Sequence, residues 1–107
     1  MRIVQTFWTL PAKSLDALAG GWPSKRYLFM SWALSVLQLR QQYEELVLYT
    51  DTRGHYWLIE QIGLPYTQVD CSLNELSEAY TPIWSYCKLY VYGLQEAPFL
   101  LIDGDVV

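Results

Sequence analysis

Asp103 and Asp105, one residue apart with Gly104 between them, are the side chains of this sequence best placed to do chemistry. In an extended chain positions i and i+2 share a side, so both carboxylates can face one ion. Gly104 removes the side chain between them and lets a ligand approach the backbone. Paired hard oxygens suit Mg²⁺, Mn²⁺ or Ca²⁺, whereas Zn²⁺ prefers sulfur and nitrogen. Asp-Gly-Asp is also ordinary turn chemistry. Context favours the metal reading, because the apolar run Pro98-Phe99-Leu100-Leu101-Ile102 comes immediately before. Such a run suits a strand buried on both faces, as in a parallel sheet. Carboxylates that follow it emerge where open α/β sheets bind their ligands.

The elements that must position this pair are legible in order. Residues 3–10 are β-branched and aromatic, end at Pro11, and read as a first strand. A short helical turn over residues 14–19 stops at Gly20-Gly21. Residues 24–43 have helical spacing, with Ser24 as N-cap. In that helix Tyr27, Leu28, Trp32, Leu34 and Leu37 read as the apolar side, and Ser31, Ser35, Gln38 and Gln42 as a polar stripe. Residues 45–50 form a second strand, and residues 52–62 a helix capped by Asp51 or Thr52 and stopped by Gly63. Residues 66–69 are a third strand, and residues 72–80 one or two polar turns. A helix then starts at Pro82 and runs through residues 83–94, with Ile83, Cys87, Tyr90, Val91 and Leu94 on one side. Residues 99–102 are the fourth strand.

Strands that alternate with helices imply βαβ units, right-handed crossovers and a parallel sheet. The predicted fold is therefore α/β, a three-layer Rossmann-like sheet of about four parallel strands in the order 3-2-1-4. The return of the fourth strand to the far side of the first makes a switch point and a crevice. Phe7, Trp8 and Thr9 lie at the carboxyl end of the first strand there, and Thr50 and Asp51 lie one strand over. No glycine-rich phosphate loop follows the first strand, which argues against a dinucleotide-binding or P-loop protein.

The chain has 107 residues, enough for one small domain. It is 52% hydrophobic and 16% aromatic, with five Trp and nine Tyr. That content predicts a filled core and some aromatic surface that needs covering, as in a homo-oligomer. With a net charge of −4 and only seven basic residues there is no basic stripe, which argues against nucleic acid and anionic membrane as partners. An acidic protein still binds phosphate when a metal bridges the two. No run approaches a membrane span. Cys71 and Cys87 lack a paired spacing and read as reduced thiols of a cytoplasmic protein. His55, the single histidine, reads as a surface or capping residue. The sequence stops at Val106-Val107 directly after its acidic pair, an ending that reads as that of a truncated piece.

A half-sheet whose fourth strand ends hydrophobic-Asp-x-Asp resembles the GT-A glycosyltransferases, in the flavour of the bacterial polysaccharide-associated enzymes. The stretch from Pro98 to Val106 is similar to their Asp-x-Asp segment, and Trp84-Ser85-Tyr86-Cys87-Lys88-Leu89-Tyr90 to the helix before it. The Arg-to-Gly-Gly spacing of some such families is absent; Lys88 and a lone Gly93 stand there. The resemblance implies a domain that is the nucleotide-sugar-binding half of a longer protein, inactive on its own. It implies a nucleoside diphosphate sugar as ligand, with Mn²⁺ or Mg²⁺ on Asp103 and Asp105. Asp105 would be the more direct metal ligand, and Asp103 would also reach the ribose. Phe7 or Trp8 would stack on the base, Thr50 and Asp51 would line the nucleotide, and Lys88 would reach a phosphate.

Two rival readings stand beside it. One is a non-enzymatic α/β binding or oligomerisation module built on the aromatic surface. The other is a phosphatase resembling the haloacid dehalogenases, which use Asp-x-Asp as nucleophile and general acid. Their motif normally closes the first strand of the domain, whereas here it closes the fourth.

Overall fold

A computed structural model describes residues 2–9, 25–76, 86–96 and 98–102. The elements are β1 (Arg2–Phe7), α1 (Lys25–Gln42), β2 (Glu45–Thr50), α2 (Thr52–His55), β3 (Gln68–Asp70), α3 (Tyr86–Leu94) and β4 (Phe99–Leu101). α2 passes directly into a π-helical segment, Tyr56–Gln61, and a 3₁₀ turn, Ser72–Glu75, follows β3. The four strands form one sheet in the order β3-β2-β1-β4. Every pairing is parallel. The predicted fold class and strand order are therefore those observed.

Side-chain alternation along the strands divides the core into two layers. On one face Ile3 and Phe7 of β1 and Leu46 and Leu48 of β2 pack against Leu28, Trp32 and Val36 of α1 and against Leu58. On the other face Val4, Trp8, Val47 and Tyr49 pack against Leu73, Leu76, Cys87 and Val91. The first two crossovers thus lie on one side and the return connection on the other, as right-handed βαβ units require.

Several boundaries differ from the sequence-based expectation, each for a local reason. β1 stops at Phe7, opposite the last residue of β2, Thr50. Beyond it the Thr9 amide turns to the Asp51 carboxylate. β3 starts at Gln68, because the Tyr66 amide turns back to the Leu64 carbonyl and the Thr67 side chain takes the place of a ladder partner on Leu46. The Thr67 amide donates to the Leu46 carbonyl and its hydroxyl accepts from the Leu46 amide, while the Tyr66 hydroxyl donates to the Gln5 side chain. The second helix keeps α geometry only to His55, and the π-helical turns end at Gly63 with φ 75°. That left-handed terminus is where glycine was expected to stop the helix. The expected turn over residues 14–19, the Ser24 cap and the start of the third helix lie outside the described residues.

The amphipathic reading of α1 is corrected. Ser31 and Ser35, expected outward, are buried, whereas Tyr27, Leu34 and Leu37 are exposed. Leu28, Trp32 and Val36 set the inward side, and there Ser35 meets Gln5, fully buried in the middle of β1. Its amide needs partners there, and Ser35 Oγ accepts from it at 3.4 Å. β4 is corrected too. It is an edge of the described sheet rather than a strand buried on both faces, and Leu100 is 46% exposed.

Candidate functional site

The carboxyl ends of β1 and β2 are tied together through one aspartate. Asp51 follows β2 in extended conformation and is the N-cap of α2. Its Oδ1 accepts from the Gly54 amide at 2.9 Å and from the Thr9 hydroxyl at 2.7 Å. Its Oδ2 accepts from the Thr9 amide at 2.8 Å. The carboxylate is buried, so three donors replace its hydration shell, which is what a buried charge requires. Thr50 adds a second tie, its hydroxyl donating to the Phe7 carbonyl at 2.7 Å. The Arg53 guanidinium donates to the Thr9 carbonyl.

Gly54 makes this closeness possible. A Cβ at that position would lie 2.0 Å from Thr50 Oγ1 and 3.0 Å from the Phe7 ring. The first turn of α2 therefore sits directly on the strand ends. Further out, Thr52 and Asn74 exchange two hydrogen bonds, the Thr52 amide to Asn74 Oδ1 and Asn74 Nδ2 to Thr52 Oγ1, each at 2.9 Å. Asp70 accepts from the Ser72 amide at 2.8 Å and also from its hydroxyl, closing the turn after β3.

Of the residues singled out from sequence, Phe7, Trp8, Thr50 and Asp51 are brought together at this rim. Their surroundings separate them. Thr50 and Asp51 spend their hydrogen-bonding groups on the protein itself. Phe7 faces the α1 side, its ring 5.1 Å from that of Trp32. Trp8 faces the other side, among Leu73, Leu76, Cys87 and Val91. It is 9% exposed, yet its indole N–H has no acceptor among the described residues. A buried donor left unmatched costs about 1–3 kcal/mol, so this atom marks a place where an acceptor would be welcome. Lys88 lies near the start of α3, in the layer that covers the Trp8 face.

Asp103 and Asp105 lie outside the described residues. The strand that leads to them is placed: β4 runs parallel beside β1, with Val4 opposite Leu101. The Ile102 amide extends the ladder, donating to the Val4 carbonyl at 3.0 Å. Among the described residues no cluster of three or more His, Cys, Asp or Glu side chains could hold a metal ion. Two carboxylates one residue apart in the sequence nevertheless supply the hard oxygen donors that Mg²⁺ and Mn²⁺ prefer.

Neither cysteine is an activated nucleophile. Burial pushes the Cys87 thiol up, opposed by a hydrogen bond from Thr6 and the charge of Lys88. Burial and the neighbouring Asp70 and Asp51 carboxylates push the Cys71 thiol up. Sequence reasoning placed Thr9 at the rim without giving it a role, and passed over Arg53 and Gly54. Gly54 carried a signal, since glycine inside a helical pattern costs about 1 kcal/mol against alanine and points to a packing reason.

Among the described residues no helix is long and apolar enough to cross a membrane. No curated protein and no solved structure matches the sequence. A family model matches residues 1–107, and the chain belongs to that family, a family of unknown function designated DUF6734.

Proposed function

We propose that this domain binds a nucleoside diphosphate sugar over the carboxyl ends of β1 and β4, as the donor-binding part of a glycosyltransferase. The observation that carries the reading is the strand order. β4 returns to the side of β1 away from β2, and its ladder reaches Ile102, the residue before Asp103. A parallel sheet that reverses direction in this way opens a crevice at the reversal, on the carboxyl side.

In this reading Asp103 and Asp105 hold Mn²⁺ or Mg²⁺, which supplies Lewis acidity to a departing diphosphate. The residues of the rim do the rest. Trp8 underlies the rim on the Leu73 and Val91 side, and its indole N–H, without an acceptor among the described residues, is the candidate for a contact with the ligand. The Asp51–Thr9 and Thr50–Phe7 ties hold the rim rigid, so little ordering accompanies binding. Thr50 and Asp51 act here as positioning residues rather than as direct contacts. Lys88, on the layer over the Trp8 face, is the candidate for a phosphate contact. Two free thiols suit a reducing compartment, and we assign the reaction to the cytoplasm.

Calorimetric titration with UDP and with GDP, in Mn²⁺ and in EDTA, tests the proposal. Binding of one nucleotide in Mn²⁺ alone is expected, weakened at least about tenfold, or roughly 1.4 kcal/mol, in Asp105→Ala. Absence of Mn²⁺-dependent binding, or unchanged affinity in that variant, removes the metal and the sugar-donor reading together.

A further inference from the structure

We propose that the outward side of α1 is a self-association surface, on which a second copy of this chain lays its own α1 antiparallel. The inference is independent of the sugar-nucleotide reading. Tyr27, Met30, Leu34 and Leu37 are each 50–53% exposed, an unusual loss for side chains of that size. Their spacing of three, four and three residues places them on one strip of the helix. At 100° per residue that strip lies opposite Leu28, Trp32 and Val36, which face the sheet. Phe29, between the two sides, stacks on Trp57 at 5.7 Å. α1 is thus apolar both toward the sheet and away from it.

A three-four repeat is the pattern of a helix that packs along another helix at a shallow angle. Charge points to a second copy as the occupant. A two-fold contact sets a patch against itself, so a charged strip would repel its mate. From Tyr27 to Gln42 the one charged side chain is Arg40, and it is turned to the helix end, donating to the Tyr43 and Glu44 carbonyls. Among the described side chains the exposed neighbours of the strip are the neutral Gln38 and Gln41. Area agrees. Half of a large apolar side chain is on the order of 100 Å², so four of them with the glutamine stems give about 500 Å² per copy, or about 1,000 Å² in a pair, the lower limit of a specific interface. The pairing is therefore concentration-dependent. Opposed helix dipoles favour the antiparallel arrangement, in which Met30 meets Leu34 of the other copy and Tyr27 meets Leu37.

Sedimentation equilibrium over a wide concentration range tests this on the intact chain. Wild type is expected to pass from monomer to dimer, and Leu34→Glu and Met30→Lys to stay monomeric with unchanged circular dichroism. Mixing those two variants is expected to restore a dimer, through the new Glu–Lys contact. Leu89→Glu, on the exposed side of α3, is expected to dimerise as wild type does. A wild-type protein that stays monomeric throughout overturns the proposal. A dimer that survives Leu34→Glu, or is lost in Leu89→Glu, or is not restored by mixing, overturns it as well.

Discussion

Gly54 shows how one missing methyl group can hold a rim together. In a helix, alanine is favoured over glycine by about 1 kcal/mol. Here the sign reverses. The added Cβ would stand 2.0 Å from Thr50 Oγ1, far inside contact distance, and Thr50 cannot retreat without giving up its bond to the Phe7 carbonyl. Overpacking of this kind costs about 1–3 kcal/mol, and the stranded polar groups add to it. Gly54→Ala should therefore lower the free energy of unfolding by about 2–4 kcal/mol in urea titration, despite its better helix propensity. A stabilised variant would show that the rim is looser than described. The aspartate of the rim was legible in sequence as a helix cap or a ligand, and the cap is what forms. Thr9, its partner, was not legible. The pairing spans 42 positions and depends on strand register, which no local pattern encodes.

At the scale of elements, periodicity served the strands better than the helices. The alternation and order of elements were readable because β-branched runs and turn residues are local signals. The orientation of α1 was not. A helix with apolar residues all round has no preferred side until its partner is known, and Gln5, which meets its buried Ser35, sits on another element. Gln5 also receives the Tyr66 hydroxyl at 2.7 Å, joining α1, β1 and the segment before β3. Burial pushes the Tyr66 phenol well above its ordinary value. Its sign is clear: the unfolded chain ionises near pH 10 while the folded one keeps the proton. The contribution of Tyr66 is thus whole below pH 10 and shrinks as pH rises beyond it. Tyr66→Phe should be less stable than wild type at pH 7 by about 1 kcal/mol, for the lost bond. The gap should narrow above pH 10, as followed by denaturant unfolding. The other eight tyrosines are common to both proteins and cancel in that difference. A gap that widens with pH would contradict the assignment.

The whole molecule is asymmetric. β1 and β2 are each bonded on both sides, while β3 and β4 are the borders of the described sheet. β4 pairs with β1 over only three residues. The strand that leads to the acidic pair was readable as the neighbour of β1. That β4 forms a border was implied by the order 3-2-1-4, yet its apolar composition argued for cover on both faces. Composition reports how much surface wants burial, not which partner provides it. Native-state hydrogen exchange should rank the strands accordingly, slowest in β2 and in residues 3–5 of β1, fastest in β4. Equal protection of β4 and β2 would refute that ranking. The Ile102–Val4 bond then acquires a kinetic meaning. The strand that introduces the two acids is the first part of the sheet to let go, so bound nucleotide should slow deuterium uptake there most, even with the remaining strands untouched.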